Sequence, residues 1–140
     1  MNLDDVYSEI IIENSRSAKN RRKLANPTHS LLGVNPSCGD EIILELEVES
    51  GVIKDAAFSG DGCAISQAST SIMIDLIKGA KVEKAGELVE LFLAMIQRRE
   101  SDDSLLEPLE DALAFKNVAN MPARVKCAVL PWRTLEKEID

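Results

Sequence analysis

Between Glu41 and Glu49 the chain alternates, with Ile42, Leu44, Leu46 and Val48 on one face and Glu41, Glu45, Glu47 and Glu49 on the other, Ile43 being the one apolar residue on the glutamate face. A period of two suits only a strand with one face buried and one solvated. Ser50-Gly51 is a turn signal, and Val52 to Phe58 continues with Val52, Ile53 and Phe58 as apolar members, which predicts a hairpin. Residues 28 to 34, bounded by Asn26-Pro27 and Asn35-Pro36, supply a short strand before it.

From Ala64 the period changes. Ile65, Ala68, Ile72, Met73, Leu76 and Ile77 make a helical stripe that Gly79 can end, and Leu88, Leu91, Phe92, Met95 and Ile96 make another that closes near Arg98-Arg99. Ahead of the strands, Leu3, Val6, Tyr7, Ile10 and Ile11 predict an amphipathic helix over about residues 3 to 15, with Asp4 and Asp5 at its favourable end. Residues 100 to 111 hold six acids and no base around Leu105, Leu106 and Leu109, and read as an exposed loop leading into a short helix with Pro108 in its first turn. A last helix is predicted over about 128 to 138, because Pro131 is tolerable only near a helix start. The expectation is an α+β fold, with a small three-stranded antiparallel sheet packed against about five helices.

At 140 residues the chain predicts a single domain spanning 1-140. Its longest apolar run, Leu91 to Ile96, is far short of the roughly 20 residues that cross a bilayer. The start MNLDDVYSEI places Asp4, Asp5 and Glu9 where a secretory signal would need apolar residues, so the expected location is cytoplasmic, with no membrane partner. A net charge of -8 weakens attraction to nucleic acid, and no nucleic-acid partner is expected. Against that balance, RSAKNRRK at 16 to 23 carries five basic side chains and no acid. Cations complementing a helix dipole explain it first, and a docking patch for an acidic partner second.

Three cysteines without an export signal favour reduced thiols over a disulfide framework. Cys38 lies in NPSCGD between two predicted strands, Cys63 in GDGCA between a strand and a helix, and Cys127 in RVKC at the predicted start of the last helix. Helix N-termini next to Cys63 and Cys127, with Arg124 and Lys126 adding positive charge, would favour thiolates. Three thiolates on one metal usually want a fourth donor, and Asp40 can supply it from the turn that carries Cys38. By spacing alone, a shared Cys3Asp site and three independent, partly buried thiols are equally good readings.

NPSCGD, GDGCAISQAS and PARVKC, in this order and nearly spanning the chain, resemble the U-type iron-sulfur cluster assembly proteins, the family that includes IscU, SufU and the NifU N-terminal domain. The resemblance implies a compact α+β domain with its metal site at one end. It implies that Cys38, Asp40, Cys63 and Cys127 ligate zinc or a nascent cluster, that Cys38 accepts persulfide sulfur, and that a pyridoxal-phosphate cysteine desulfurase delivers it. Lys126 stands where IscU-like members carry histidine, and the stretch between Cys63 and Cys127 is longer by about a short helix, assigned to residues 98 to 117. Both features resemble the SufU branch, whose members act as zinc-dependent sulfur acceptors. Met121 to Lys126 replaces the Leu-Pro-Pro-Val-Lys motif that a dedicated chaperone recognises, so that chaperone is not an expected partner. Two other functions stay open: a scaffold holding a transient [2Fe-2S] cluster on Cys38, Cys63 and Cys127 for downstream assembly or acceptor proteins, and a structural zinc module that binds proteins.

Overall fold

The computed structural model describes residues 3–139, and of the side chains of Leu3, Asp4 and Val6 nothing is described, so their expected roles in the first helix lie outside the described residues. The backbone is helical from Leu3 to Arg16 (α1), and Ile10 and Ile11 pack against the core as their spacing predicts. The strands His29–Asn35 (β1), Asp40–Glu49 (β2) and Val52–Asp61 (β3) form an antiparallel sheet in the order β1-β2-β3. Ser50 (φ 53°) and Gly51 (φ 77°) make the two-residue turn between β2 and β3, whose backbone twist matches that of the strands it joins. Ile42, Leu44 and Leu46 are fully buried, as the alternation requires. β3 continues three residues past the expected Phe58, because β2 still offers pairing partners there: Ile42 lies opposite Gly60 and Glu41 opposite Asp61.

Part of the run at 16 to 23 pairs within the molecule, while Arg16 and Lys23 stay exposed. Only Arg16 sits in the last turn of α1. The segment behind it lies along the outer edge of β3, where the Phe58 N–H donates to the Asn20 carbonyl at 3.0 Å and the Arg22 N–H donates to the Phe58 carbonyl at 3.1 Å. Lys19 pairs with Asp75, Arg22 with Asp55, and Arg21 donates to the Gly60 carbonyl while lying over the Phe58 ring. These cations hold a strap against a sheet edge that would otherwise be open to other strands.

The helices Ala64–Ile77 (α2) and Val82–Ile96 (α3) follow. α3 begins ahead of its expected stripe, since Ala85 is already fully buried while Glu83, Lys84 and Glu87 interrupt the pattern. The acidic stretch departs further from expectation. It forms Asp103–Leu106 (α4) and a 3₁₀ helix over Glu107–Asn120, interrupted by Glu110 at a positive φ of 48°. Pro108 does sit in the first turn, but Leu106 and Leu109 are fully buried rather than part of an exposed loop, and Leu105 alone of the three leucines points to solvent. Phe115 meets the Phe92 ring edge-on, and Phe92 stacks on Trp132 with centroids 4.3 Å apart, so the stretch is part of the core.

The last helix, Pro122–Ile139 (α5), starts six residues before the expected position, with Pro131 in its interior. Pro122 occupies a first-turn position, where a missing N–H costs nothing. Near Pro131 the Ser69 hydroxyl donates to the Ala128 carbonyl at 2.6 Å and accepts from Trp132 Nε1 at 3.0 Å, so α2 supplies polar contacts to a stretch of helix that proline disturbs. α5 packs on β1 and α2. At the β1 crossing a Cβ on Gly33 would collide with Thr134 Oγ1, so only glycine admits the helix this closely.

Candidate metal centre

Asp40 opens β2 in the same phase as Ile42, Leu44 and Leu46, so its carboxylate points to the buried face and is fully covered. Burial of a carboxylate demands donors. The Cys63 N–H donates to Oδ1 at 2.8 Å, and the Asn35 amide reaches Oδ2 at 3.4 Å. Oδ1 is thereby committed to the backbone, and Oδ2 faces the sulfurs. Cys63 is the N-cap of α2; its Sγ accepts from the Ser66 N–H at 3.5 Å and lies 4.0 Å from Asp40 Oδ2. Gly62 permits this approach, because a Cβ there would press on Ser66 Oγ and Asp40 Oδ1.

Cys38 comes from the β1–β2 turn and is exposed; Cys127 comes from α5 and is buried; their Sγ atoms are 3.0 Å apart. The ligand atoms of Cys38, Asp40 and Cys127 all lie within 4.8 Å of one another; Cys63 stands outside this set, its Sγ 4.0 Å from Asp40 Oδ2. The structure thus brings Cys38, Asp40 and Cys127 together at one end of the sheet, with Cys63 beside Asp40. One expectation is corrected. Cys127 is the sixth residue of α5, not its first, and burial, with the Cys38 and Cys63 thiols next to it, pushes its own thiol far above the usual cysteine range. Arg124 sits exposed in the first turn of α5, and His29 shares a hydrogen bond with the Thr28 hydroxyl.

Asn35 is a residue that sequence reasoning missed. It reads as a strand breaker before Pro36, yet it is buried and its amide nitrogen lies 3.4 Å from Asp40 Oδ2 and 3.7 Å from Cys127 Sγ. Its signal was register: it pairs with Asp40 across the β1–β2 ladder.

The donors suit a tetrahedral ion. Metal–sulfur bonds of about 2.3 Å and a metal–oxygen bond of about 2.1 Å set two sulfurs about 3.8 Å apart and a sulfur and an oxygen about 3.6 Å apart. The observed 3.0 Å between Cys38 and Cys127 and 4.0 Å between Cys63 and Asp40 fall on either side of these values; Cys38, Asp40 and Cys127 already lie within reach of one zinc-sized cation, and Cys63 must move toward them to complete the set. Three soft sulfurs with a single oxygen suit zinc or iron rather than calcium or magnesium.

Comparison with known proteins shows the family. Residues 6–139 match the NifU-like N-terminal domain. The chain is 39% identical over 138 residues to the zinc-dependent sulfurtransferase SufU of Bacillus subtilis, covering 99% of this chain and 92% of that protein. It is 43% identical over 134 residues to the iron-sulfur cluster assembly scaffold protein IscU of Thermotoga maritima, covering 96% and 92%. In structure it is similar to an iron-sulfur cluster assembly scaffold protein for the SUF system from Fervidobacterium islandicum AW-1, with a TM-score of 0.88 and 39% identity over 99% of this chain and 100% of that one. With the family match, the fold and near-complete coverage in agreement, the chain belongs to the family of NifU-like N-terminal domains.

Proposed function

We propose that this protein serves iron-sulfur cluster assembly as a zinc-bound sulfur acceptor, with Cys38, Asp40, Cys63 and Cys127 as the ligands and Cys38 as the thiol that takes sulfur from a cysteine desulfurase. The observation that carries this reading is the gradient of exposure across one cluster: Cys38 is exposed, Cys63 intermediate and Cys127 buried, with the outer and innermost sulfurs in contact. When bound there, zinc would keep the thiols in thiolate form at neutral pH without redox side reactions.

The residues divide the work. Cys127 and Asp40 are buried and held by Asn35, so they anchor; Cys63, fixed as a helix cap, has little freedom to leave. Cys38 rides on a turn at the surface, and its thiolate can attack the terminal sulfur of an incoming persulfide. The new sulfur–sulfur bond forms as the old one breaks, the partner's cysteine departs as a thiolate, and the proton stays on the transferred sulfur. Such chemistry needs a reducing compartment, consistent with a cytoplasmic protein that passes sulfur on to downstream assembly or acceptor proteins.

A second reading has one observation in its favour, the 43% identity to a relative named as a scaffold. There the same donors would carry a [2Fe-2S] cluster as cargo. Metal analysis of protein purified without tags or chelators separates the two: one tightly held zinc supports the acceptor, and a coloured iron-containing form supports the scaffold. For the acceptor role, Cys38→Ser should abolish stimulation of a cognate desulfurase while circular dichroism stays native. Stimulation equal to wild type would sink it.

A further inference from the structure

Beside the thiols, and distinct from them, a groove of about 280 Å³ runs between β1 and α5. Its floor is the β1 backbone from Leu31 to Asn35, and its far wall is Val129, Leu130 and Thr134. β1 is an edge strand, and among the described residues no hydrogen bond from elsewhere meets its outer side between Leu31 and Val34. Alternate residues of an edge strand direct N–H and C=O groups outward, ready to pair with another strand. The opposite edge of the sheet is treated differently, since β3 is covered by the strap around Asn20 to Arg22.

The groove also carries a charge that the molecule as a whole lacks. In a chain of net charge -8, its rim is set with Lys126, Arg133 and Lys137. Arg133 meets Glu136 at 3.3 Å, an exposed pair that a stronger acidic ligand can exchange. Leu32 and Val34 stand 54% and 48% exposed on the outward face of the same strand, giving an added strand apolar neighbours. One end of the groove is Asn35 and Lys126, next to Asp40 and Cys127, so whatever lies in it reaches the thiol cluster.

We propose that this groove receives an extended, acidic segment of a partner protein, which adds as a strand to the edge of β1 with its carboxylates on Lys126, Arg133 and Lys137. Strand addition supplies affinity through main-chain hydrogen bonds, and the cationic rim selects the partner. The net negative charge of the molecule repels acidic chains overall, so a cationic rim is selective as well as attractive. The groove does not depend on which metal or cluster the neighbouring thiols hold, and its test is independent of sulfur transfer.

The probe is a capped peptide of alternating glutamate and valine matching the length of β1, titrated into the isotope-labelled full chain, with a lysine–valine peptide as control. Binding of the glutamate peptide should shift the amide signals of Leu31 to Asn35 and of α5 from Val129 to Lys137 and slow hydrogen exchange along β1, with affinity falling as salt rises. The double variant Arg133→Glu, Lys137→Glu should weaken it at least about tenfold while the far-ultraviolet spectrum is unchanged, as exposed positions allow. A smaller substitution set, Arg133→Gln with Lys137→Gln, gives the same readout should the reversal disturb folding. Equal binding of both peptides, shifts outside β1 and α5, or affinity unaffected by these variants would overturn the proposal. Self-association of the wild type that the double variant abolishes would also overturn it, by giving the groove to a second copy of the chain.

Discussion

Two carboxylates are set into the two ends of this molecule on opposite terms. Asp40, at the thiol end, is fully buried, and the Cys63 N–H and the Asn35 amide stand on its oxygens. Glu138, near the end of α5, has both oxygens shut away with no hydrogen-bond partner among the described residues. Its pKa is pushed up to about 8, chiefly by burial and further by the charge of Glu45. Burial alone therefore does not make a ligand: donors meet both oxygens of Asp40 and favour its charged form beside the sulfurs, whereas Glu138 meets no donor among the described residues and keeps a proton instead.

The largest effect expected from breaking this contrast is at the thiol end. Cys63→Ser should lower metal affinity by more than about a hundredfold, since oxygen replaces a thiolate and the α2 cap is altered as well. Asp40→Ala should leave a folded protein with weakened retention, because three thiolates remain and water can fill the fourth place. Competition with a chromogenic chelator ranks the two; unchanged metal content and circular dichroism in both would rule out a shared site. Asn35→Ala tests the support alone and should cost about tenfold in affinity, the usual scale for a residue that orients ligands.

At the other end the sign reverses. The Glu138 carboxyl titrates near 4.5 when unfolded and near 8 when folded, so between these values unfolding releases a proton. Stability contributed by this group is complete below the unfolded value and falls as pH rises through the window. Glu138→Gln removes that dependence: its Tm relative to wild type should be about level at low pH and higher by about 2–4 °C at pH 8 or above. A melting difference that does not grow with pH would show that Glu138 is not held protonated. The smallest effect belongs to a carboxylate at the surface. Arg22 hydrogen-bonds Asp55 and holds it below the usual carboxylate range, yet both side chains are about a third exposed. Arg22→Ala should cost no more than about 1 kcal/mol in denaturant unfolding, and less at high salt.

What could be read from the chain follows from how local each signal is. The alternation of β2, the Ser50-Gly51 turn and the helical stripe of α2 each need only a dozen neighbouring residues, and they lie where expected. Cys38, Asp40 and Cys63 were placed by the same logic, near the ends of strands, although β2 begins one residue and β3 ends three residues beyond the expected limits. The acidic stretch failed because its charge hid Leu106 and Leu109, whose burial depends on α3 and α5 being in place. α5 failed because Pro131 is costly in an isolated helix, and the Ser69 contact that steadies this one comes from another element. Asn35 was invisible for a related reason: its partners lie across a strand pair and a helix.

The cluster also has an order of birth. Cys38 arises in the turn after β1, Cys63 at the start of α2, and Cys127 only in the helix that ends the described chain. During synthesis the hairpin and α2 can form while α5 is still inside the ribosome, so for that interval Cys38 stands exposed without the buried thiol it later touches. A nascent chain caught at this stage carries two cysteines and a carboxylate but no closed pocket, and its surface thiol is open to oxidants and stray metal. Completion of α5 leaves Cys38 at the surface but sets a buried sulfur against it, which makes arrival of that helix the chemical coming of age of the protein.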